Sequence, residues 1–487
     1  MKMEWKDCRR LVVSGLLLYL AIHYWSVLAD LAEICVGASA PLILGFVLAY
    51  MVNIPLTFFE RKLKLEQRFS KLGAGAKPLY VLLTLAAVGA TGSLVSLFTS
   101  SVMGLMSGFS VVAGKRYGAG DYAGLRRVFA NALLLSAIAS VLVSGLGVAF
   151  ARGMLALMRT PADIIDASTT YFAAIMAGFS ATVFYNFYCE MLRALGDSRA
   201  PMLFFAGASV LHIALAILFI RLDMGVAGAA LATVLSQAAA VAACVIYTVN
   251  RAPLYRFSAR DLLPDGALIR ECLSVGVPTM ATNFIVAFGV IILQFVTNGI
   301  GTEYVTAYSC ASRIGYIITT PITGFSSAAA VFAAQNLGAG NAKRIREGVR
   351  TTLVILTGLN VILFILSYFV SPLILRLMIT DGEEAVSAGI LYLKVRCTAM
   401  FILAVASVFK LVLTGLGRPL YPTLSGVLEI AVRYAAPVAM VARGVGFLSV
   451  PLTDASAWAA IAVLLFGGYL IEMKKIERTC AHEKQAV

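Results

Sequence analysis

Charge is scarce in this sequence. Asp, Glu, Lys and Arg together make 13% of the 487 residues, against roughly a quarter in a typical soluble domain. That excludes a soluble globular enzyme and a disordered chain, since disorder needs charge and few apolar residues. Histidine is scarcer still. His23, His212 and His482 share no spacing that could hold a metal. The eight cysteines form no C-x-x-C pair, and most lie inside apolar runs, so neither a zinc site nor a disulfide framework is expected. No H-E-x-x-H, G-x-S-x-G or P-loop occurs, and with these gone no enzymatic site and no cofactor is expected.

What the chain has in abundance is apolar length. Sixty per cent of it is hydrophobic and the mean hydropathy is +0.89. The net charge of +14 would otherwise suggest a nucleic-acid partner. Here Lys and Arg cluster in short loops between long apolar runs, as membrane topology requires, so no nucleic acid is expected. An apolar stretch of about 20 residues spans a bilayer as a helix, because every backbone polar group must be bonded internally. Thirteen such stretches occur, near 11–33, 37–59, 78–113, 128–151, 168–193, 202–220, 225–248, 272–299, 302–334, 349–371, 385–415, 420–442 and 453–471. The first, from Leu11, is not followed by a convincing cleavage site, so no removable signal peptide is expected. The stretches at 78–113 and 302–334 exceed one straight span; each runs on beyond the membrane, or bends at Gly89 and Gly92, or at Pro321 and Gly324.

The loops alternate in charge from residue 78 onward. Lys115–Arg127, Arg193–Arg199, Arg251–Arg270, Lys343–Arg350 and the tail from Lys474 are basic, which predicts that they and the C-terminus are cytoplasmic. Eleven spans then require residue 78 to start outside. The segment before it carries Arg61, Lys62, Lys64, Arg68, Lys71 and Lys77, and such a segment belongs inside. The two signals conflict at one place.

The chain also repeats itself. VVAGKRYGAGDYAGLRRVF from Val111 matches VFAAQNLGAGNAKRIREGV from Val331, and Gly118-Ala119-Gly120 falls on Gly338-Ala339-Gly340 at an offset of 220. Leu195-Gly196 with Pro201 matches Leu416-Gly417 with Pro422 at an offset of 221. Glycine there permits the positive φ that ends a helix. Two repeats in the same orientation imply two bundles about an axis along the membrane normal, an architecture in which substrate sits between bundles that rock.

From about residue 85 the chain resembles the multidrug and toxin extrusion (MATE) family. The matching segments are LAAVGATGSL at 85–94, MLRALGDSRAP at 191–201, GVAGAALATVLSQ at 225–237, GVPTMATN at 276–283, AAQNLGAGNAKRIREG at 333–348 and LTGLGRPLYPTLSGVLEIAVR at 413–433. The resemblance implies an all-α polytopic membrane protein of two pseudo-symmetric six-helix bundles. It also implies a monomeric plasma-membrane transporter exporting small organic cations and drugs in exchange for Na⁺ or H⁺. A lipid-linked saccharide flippase of the same superfamily, or a recombined membrane protein without transport activity, stand as alternatives. PLILGFVLAYMVNIPLTFFERKL at 41–63 with KPLYVLLTL at 77–85 resembles the start of the autoinducer-exporter permease family. The expected organisation is therefore a membrane hairpin plus basic segment over 1–77 in place of the family's first helix, bundles over 78–262 and 263–472, and a cytoplasmic tail over 473–487.

Ionisable groups at membrane depth are candidate functional sites. Glu429 and Arg433 are four apart and share a helical face, so they can pair, as structure or as ion coupling. Glu190 lies one turn before Arg193. Lys394 and Arg396 follow an acidic loop, as an interfacial anchor or an anion site. His212 falls opposite Arg433 in the repeat and could cycle protons near neutral pH. Gln237, Asn283, Gln294 and Asn298 could line a polar cavity or bond helix to helix. Many MATE members carry acids on the first, fifth or seventh helix. Here the first is replaced, the fifth reads VLHIALAILF with His212 and Ala216 where Asn and Asp often stand, and the span 276–299 has no acid.

Overall fold

The structure is a computed structural model that describes residues 77–485, apart from 159, 161–163, 223, 252, 256, 258–260, 299–301 and 380–381. Side chains are described from Thr91 onward, with those of 290–298 among the exceptions. The hairpin and basic segment expected over 1–77, and the first two of the thirteen spans, lie outside the described residues.

Gly75–Val487 forms one compact unit, and the described part of it is helical with no strand. Its helices are α1 (Lys77–Gly118), α2 (Tyr122–Ala149), α3 (Ala151–Leu157), α4 (Ile165–Ala177), α5 (Phe179–Ala194), α6 (Arg199–Arg221) and α7 (Gly225–Arg251). They continue as α8 (Gly266–Asn298), α9 (Thr302–Gly338), α10 (Ala342–Met378), α11 (Glu383–Gly415), α12 (Leu420–Val441) and α13 (Ser449–Gln485). Among the described residues nine helices are long and apolar enough to cross a membrane, ten when α4 and α5 count as one bent span. The α12 helix, with Glu429 and Arg433 in its middle, is not among the nine.

The two over-long stretches resolve as continuous helices of 42 and 37 residues, and α9 continues unbroken through Pro321. The sequence reads 168–193 as one span, but the helix breaks at Gly178 with a 46° bend. Val234 of α7 presses against Gly178 where any Cβ would stand, so the chain takes its turn at the one residue that lets α7 in.

The exterior is apolar, and some charged groups are buried. Val141, Phe369, Leu373 and Val463 are exposed, while Glu190, Glu429, Arg433 and Asp454 are buried. In lipid the exterior has no water to satisfy polar groups, so they gather inside where they can pair. One hydrophobic core is built from α1, α2, α4, α5 and α7, with Leu268 and Cys272 of α8 joining it. A second is built from α9, α10, α11 and α13.

The repeat shows in the turns. Gly120 and Gly340 take φ of +71° and +65°, and Gly196 and Gly417 take +90° and +70°. After the first pair of turns, Asp121 caps α2 by accepting from the Gly124 amide at 2.8 Å, and Asn341 caps α10 by accepting from the Arg344 amide at 3.2 Å. Repeat-related residues also meet. A Cβ on Gly118 would strike the Gln335 carbonyl, and one on Gly338 would strike the Lys115 carbonyl. Gln335 and Lys115 are themselves 220 apart, so α1 and α9 cross on the pseudo-symmetry axis, each using its glycine to admit the other's backbone.

Candidate functional site

The polar interior of the second core is assembled from three helices. Glu429 and Arg433 sit one turn apart on α12, and the carboxylate meets the guanidinium at 3.0 Å. Arg433 also reaches Asp454 of α13 at 3.2 Å. The other oxygen of Asp454 accepts from Arg396 of α11 at 2.8 Å and from the Tyr392 hydroxyl at 3.1 Å. Arg396 bonds the Tyr392 hydroxyl at 3.0 Å and lies 5.1 Å from the centre of the Trp458 ring. The result is a ladder of four charges, each cation touching a carboxylate.

Two glycines make room for it. Arg396 lies flat against Gly315 of α9, whose Cβ would come within 2.6 Å of its Nε. Arg433 lies against Gly289 of α8, where a Cβ would approach its Cδ to 3.3 Å. The ladder is thus enclosed by backbone on the α8 and α9 side, which keeps water out and strengthens each pair.

Lys410 extends the ladder on α11. It lies deep among the helices, Glu429 attracts it and Arg433 repels it, and its side chain is only half-buried. No hydrogen bond or ion pair within 4 Å reaches its ammonium among the described residues. Lys394 does not join the ladder. It is exposed, with its ammonium 4.8 Å from the Tyr368 ring centre. Residues two apart on a helix point in nearly opposite directions, so Lys394 and Arg396 separate into an outer cation and an inner one.

The first core holds the repeat counterpart of this site in neutral form. His212 Nε2 is 3.2 Å from the Thr233 hydroxyl, and the Tyr171 side chain lies near it. At an offset of 221, Tyr171, His212 and Thr233 correspond to Tyr392, Arg433 and Asp454. Position by position, a carboxylate has become a hydroxyl and a guanidinium an imidazole.

The remaining candidates are dispersed. Glu190 is buried at the end of α5, where it takes a 3.0 Å ion pair from Arg193 and a 3.3 Å hydrogen bond from Ser110 of α1. Asn283 donates across from α8 to the Ser100 carbonyl of α1 at 3.1 Å. The Gln237 side-chain oxygen is buried with no hydrogen-bond partner among the described residues. The side chains of Gln294 and Asn298 lie outside the described residues. Among the described residues no group of three His, Cys, Asp or Glu side chains converges as for a metal.

Asp454 and Tyr392 were not singled out in the sequence. Asp454 meets its partners Arg396 and Tyr392 across 58 and 62 residues, beyond any local spacing rule. The repeat offset carried the signal, because it maps Asp454 onto Thr233 and Tyr392 onto Tyr171.

The opposite end of the interior is sealed where α1 meets α8 and α9. Arg116 of α1 pairs with Glu271 of α8 at 2.9 Å, and Lys115 approaches the same carboxylate at 3.7 Å. Gln335 of α9 donates to the Ala194 carbonyl at the end of α5 at 2.8 Å. Gly108 and Gly276 let α1 and α8 touch backbone to backbone.

The MatE family model matches residues 82–218 and 278–435. The probable multidrug resistance protein YoeA of Bacillus subtilis is 27% identical over 405 residues, covering 81% of this chain and 87% of that protein. The FAD transporter of Shewanella oneidensis is 23% identical over 400 residues, covering 80% and 84%. Among solved structures, that of a MATE protein in the bent conformation superposes with a TM-score of 0.79 at 20% identity, over 92% of this chain and 96% of that one.

Proposed function

Since the chain belongs to the MatE family of membrane transporters, we propose that it exports amphiphilic organic cations and drugs across the plasma membrane in exchange for H⁺ or Na⁺. The carrying observation is the family match over both halves, in a chain that buries Glu190, Glu429, Arg433 and Asp454 among apolar helices. The relative named a multidrug resistance protein supports the substrate class.

In this reading two bundles, residues 78–262 and 263–472, alternate about the axis where α1 crosses α9. The basic loops and the C-terminus face the cytoplasm, and the working unit is a monomer. Closure at the Gly118–Gly338 end is supported by the Arg116–Glu271 pair and the glycine contacts there. Coupling falls to His212 in the first bundle and to the Glu429–Arg433–Asp454 ladder in the second. The alternatives from family kinship, a lipid-linked saccharide flippase or a chain without transport, have no observation of their own.

Residues 1 to about 84 belong in this reading to a segment of other origin, which fits a family match that begins at residue 82. Ethidium efflux from cells expressing the chain tests the proposal. Efflux that collapses with nigericin or with monensin would identify H⁺ or Na⁺ as the driving ion. Cells that retain ethidium as well as an empty-vector control would remove the exporter reading.

A further inference from the structure

The ladder in the second core has a charge left over. Arg396, Arg433 and Lys410 are cations, and Glu429 and Asp454 are the carboxylates among them. Asp454 is committed to two guanidiniums and Glu429 to one. Lys410 feels the charges of both Glu429 and Arg433, and among the described residues no ion pair within 4 Å reaches it. Two further donors are unused among the described residues: the Nε–H groups of Arg396 and Arg433 are buried without a partner there. A cation in this setting without a counter-charge is expensive, and such residues mark ligand paths when they line an internal crevice.

Lys410 has the geometry for that role. Its side chain is partly exposed, whereas those of Arg433 and Asp454 are buried. Its repeat counterpart, at an offset of 221, is the buried thiol of Cys189. Arg396 likewise replaces Ile175. At these paired positions the first bundle is uncharged and the second carries the added cations.

We propose that Lys410 is the anchoring cation of an anion-accepting subsite, which takes the carboxylate or phosphate of an amphiphilic substrate and brings the ladder to neutrality. The chain would then carry zwitterionic or anionic amphiphiles as well as cations. This rests on the exporter reading for its setting, but binding alone can test it. A substrate bearing an anion docks against the exposed part of Lys410, with Arg433 adding its field. Glu429 limits the affinity by repelling the same group, so release stays possible. A substrate lacking the anion gains nothing from Lys410.

The probes are rhodamine 6G, a cationic ester, and rhodamine 19, the same dye with a free carboxylate. Binding to the purified full-length chain in lipid nanodiscs is read by fluorescence anisotropy. Charge-assisted contacts are stronger than neutral ones, so Lys410→Gln should weaken rhodamine 19 about tenfold more than it weakens rhodamine 6G. Lys410→Arg should restore the difference. If Lys410→Gln fails to fold, the wild-type chain supplies the test by competition, in which benzoate should displace rhodamine 19 and benzamide should not. Equal effects of Lys410→Gln on both dyes, or equal displacement by benzoate and benzamide, would overturn the subsite. Carboxylate-selective, Lys410-dependent binding in a chain that exports neither dye would leave the subsite standing and remove the exporter reading instead.

Discussion

Removing the Asp454 carboxylate strands a guanidinium. In the intact ladder Asp454 holds Arg396 at 2.8 Å and Arg433 at 3.2 Å, and accepts from Tyr392 at 3.1 Å. After Asp454→Ala, Arg433 keeps Glu429 at 3.0 Å. Arg396 keeps only the Tyr392 hydroxyl and the face of Trp458. Breaking one partner of a buried ion pair costs about 3–5 kcal/mol, because the other charge stays behind unpaired. Against a net stability of about 5–15 kcal/mol, that is enough to lower the folded yield sharply. The relevant assay is the fraction of protein that stays monodisperse by size-exclusion chromatography after stepwise heating. Asp454→Ala should melt far below the wild type. Asp454→Ala with Arg396→Met should recover most of the loss, since the stranded charge is gone and its volume is refilled. The two substitutions touch one another, so their effects should not add. A double variant as unstable as the single one would refute the reasoning that charge stranding, and not the shape of the Asp454 site, governs this core.

A Cβ on Gly114 would lie 3.4 Å from that of Ala334, close to the spacing of a disulfide; Gly114→Cys with Ala334→Cys in a cysteine-free background should cross-link under mild oxidation and arrest efflux, with reduction restoring it. Gly118→Ala puts a methyl group into the Gln335 backbone carbonyl, which cannot swing aside, so that cross-link should fall at least severalfold in the triple variant. His212→Ala removes the 3.2 Å contact with Thr233, and stability should fall by only about 1 kcal/mol, in the range of interhelical hydrogen bonds in membranes; if His212 carries the coupling proton, the pH dependence of efflux should flatten as well. Replacing 1–77 by a MATE-type first helix should raise efflux, and cysteine labelling at Ser70 should report which side the basic stretch occupies.

Much of the fold could be read from sequence, because it depends on local rules. Apolar length marks the spans, and the G-A-G turns mark helix ends through the conformational freedom of one residue each, Gly120 and Gly340. The bend at Gly178 was hidden, because a glycine inside an apolar run looks the same whether the helix kinks there or not; only the side chain of Val234, 56 residues away, decides it. The site divides in the same way. Glu429 and Arg433 are legible as a pair at four-residue spacing. Asp454 sits alone in an apolar run and gains its meaning from cations on two other helices. Lys394 and Arg396 look like one motif until helix geometry sends them to opposite sides.

The α1–α9 crossing has a consequence for how the halves come apart. Gly118 admits the Gln335 carbonyl and Gly338 admits the Lys115 carbonyl, so the contact is isologous: it is the interface a two-fold homodimer would make, folded into a single chain. Such an interface has paired, matching contacts on either side of its axis. A tilt about that axis loads both equally, and neither can be lost first without shearing the other. Packed backbones of this kind switch between discrete arrangements and do not deform gradually. Any separation of the two halves at this seam would therefore come in one step, and any change that loosens one glycine contact weakens its twin at the same time.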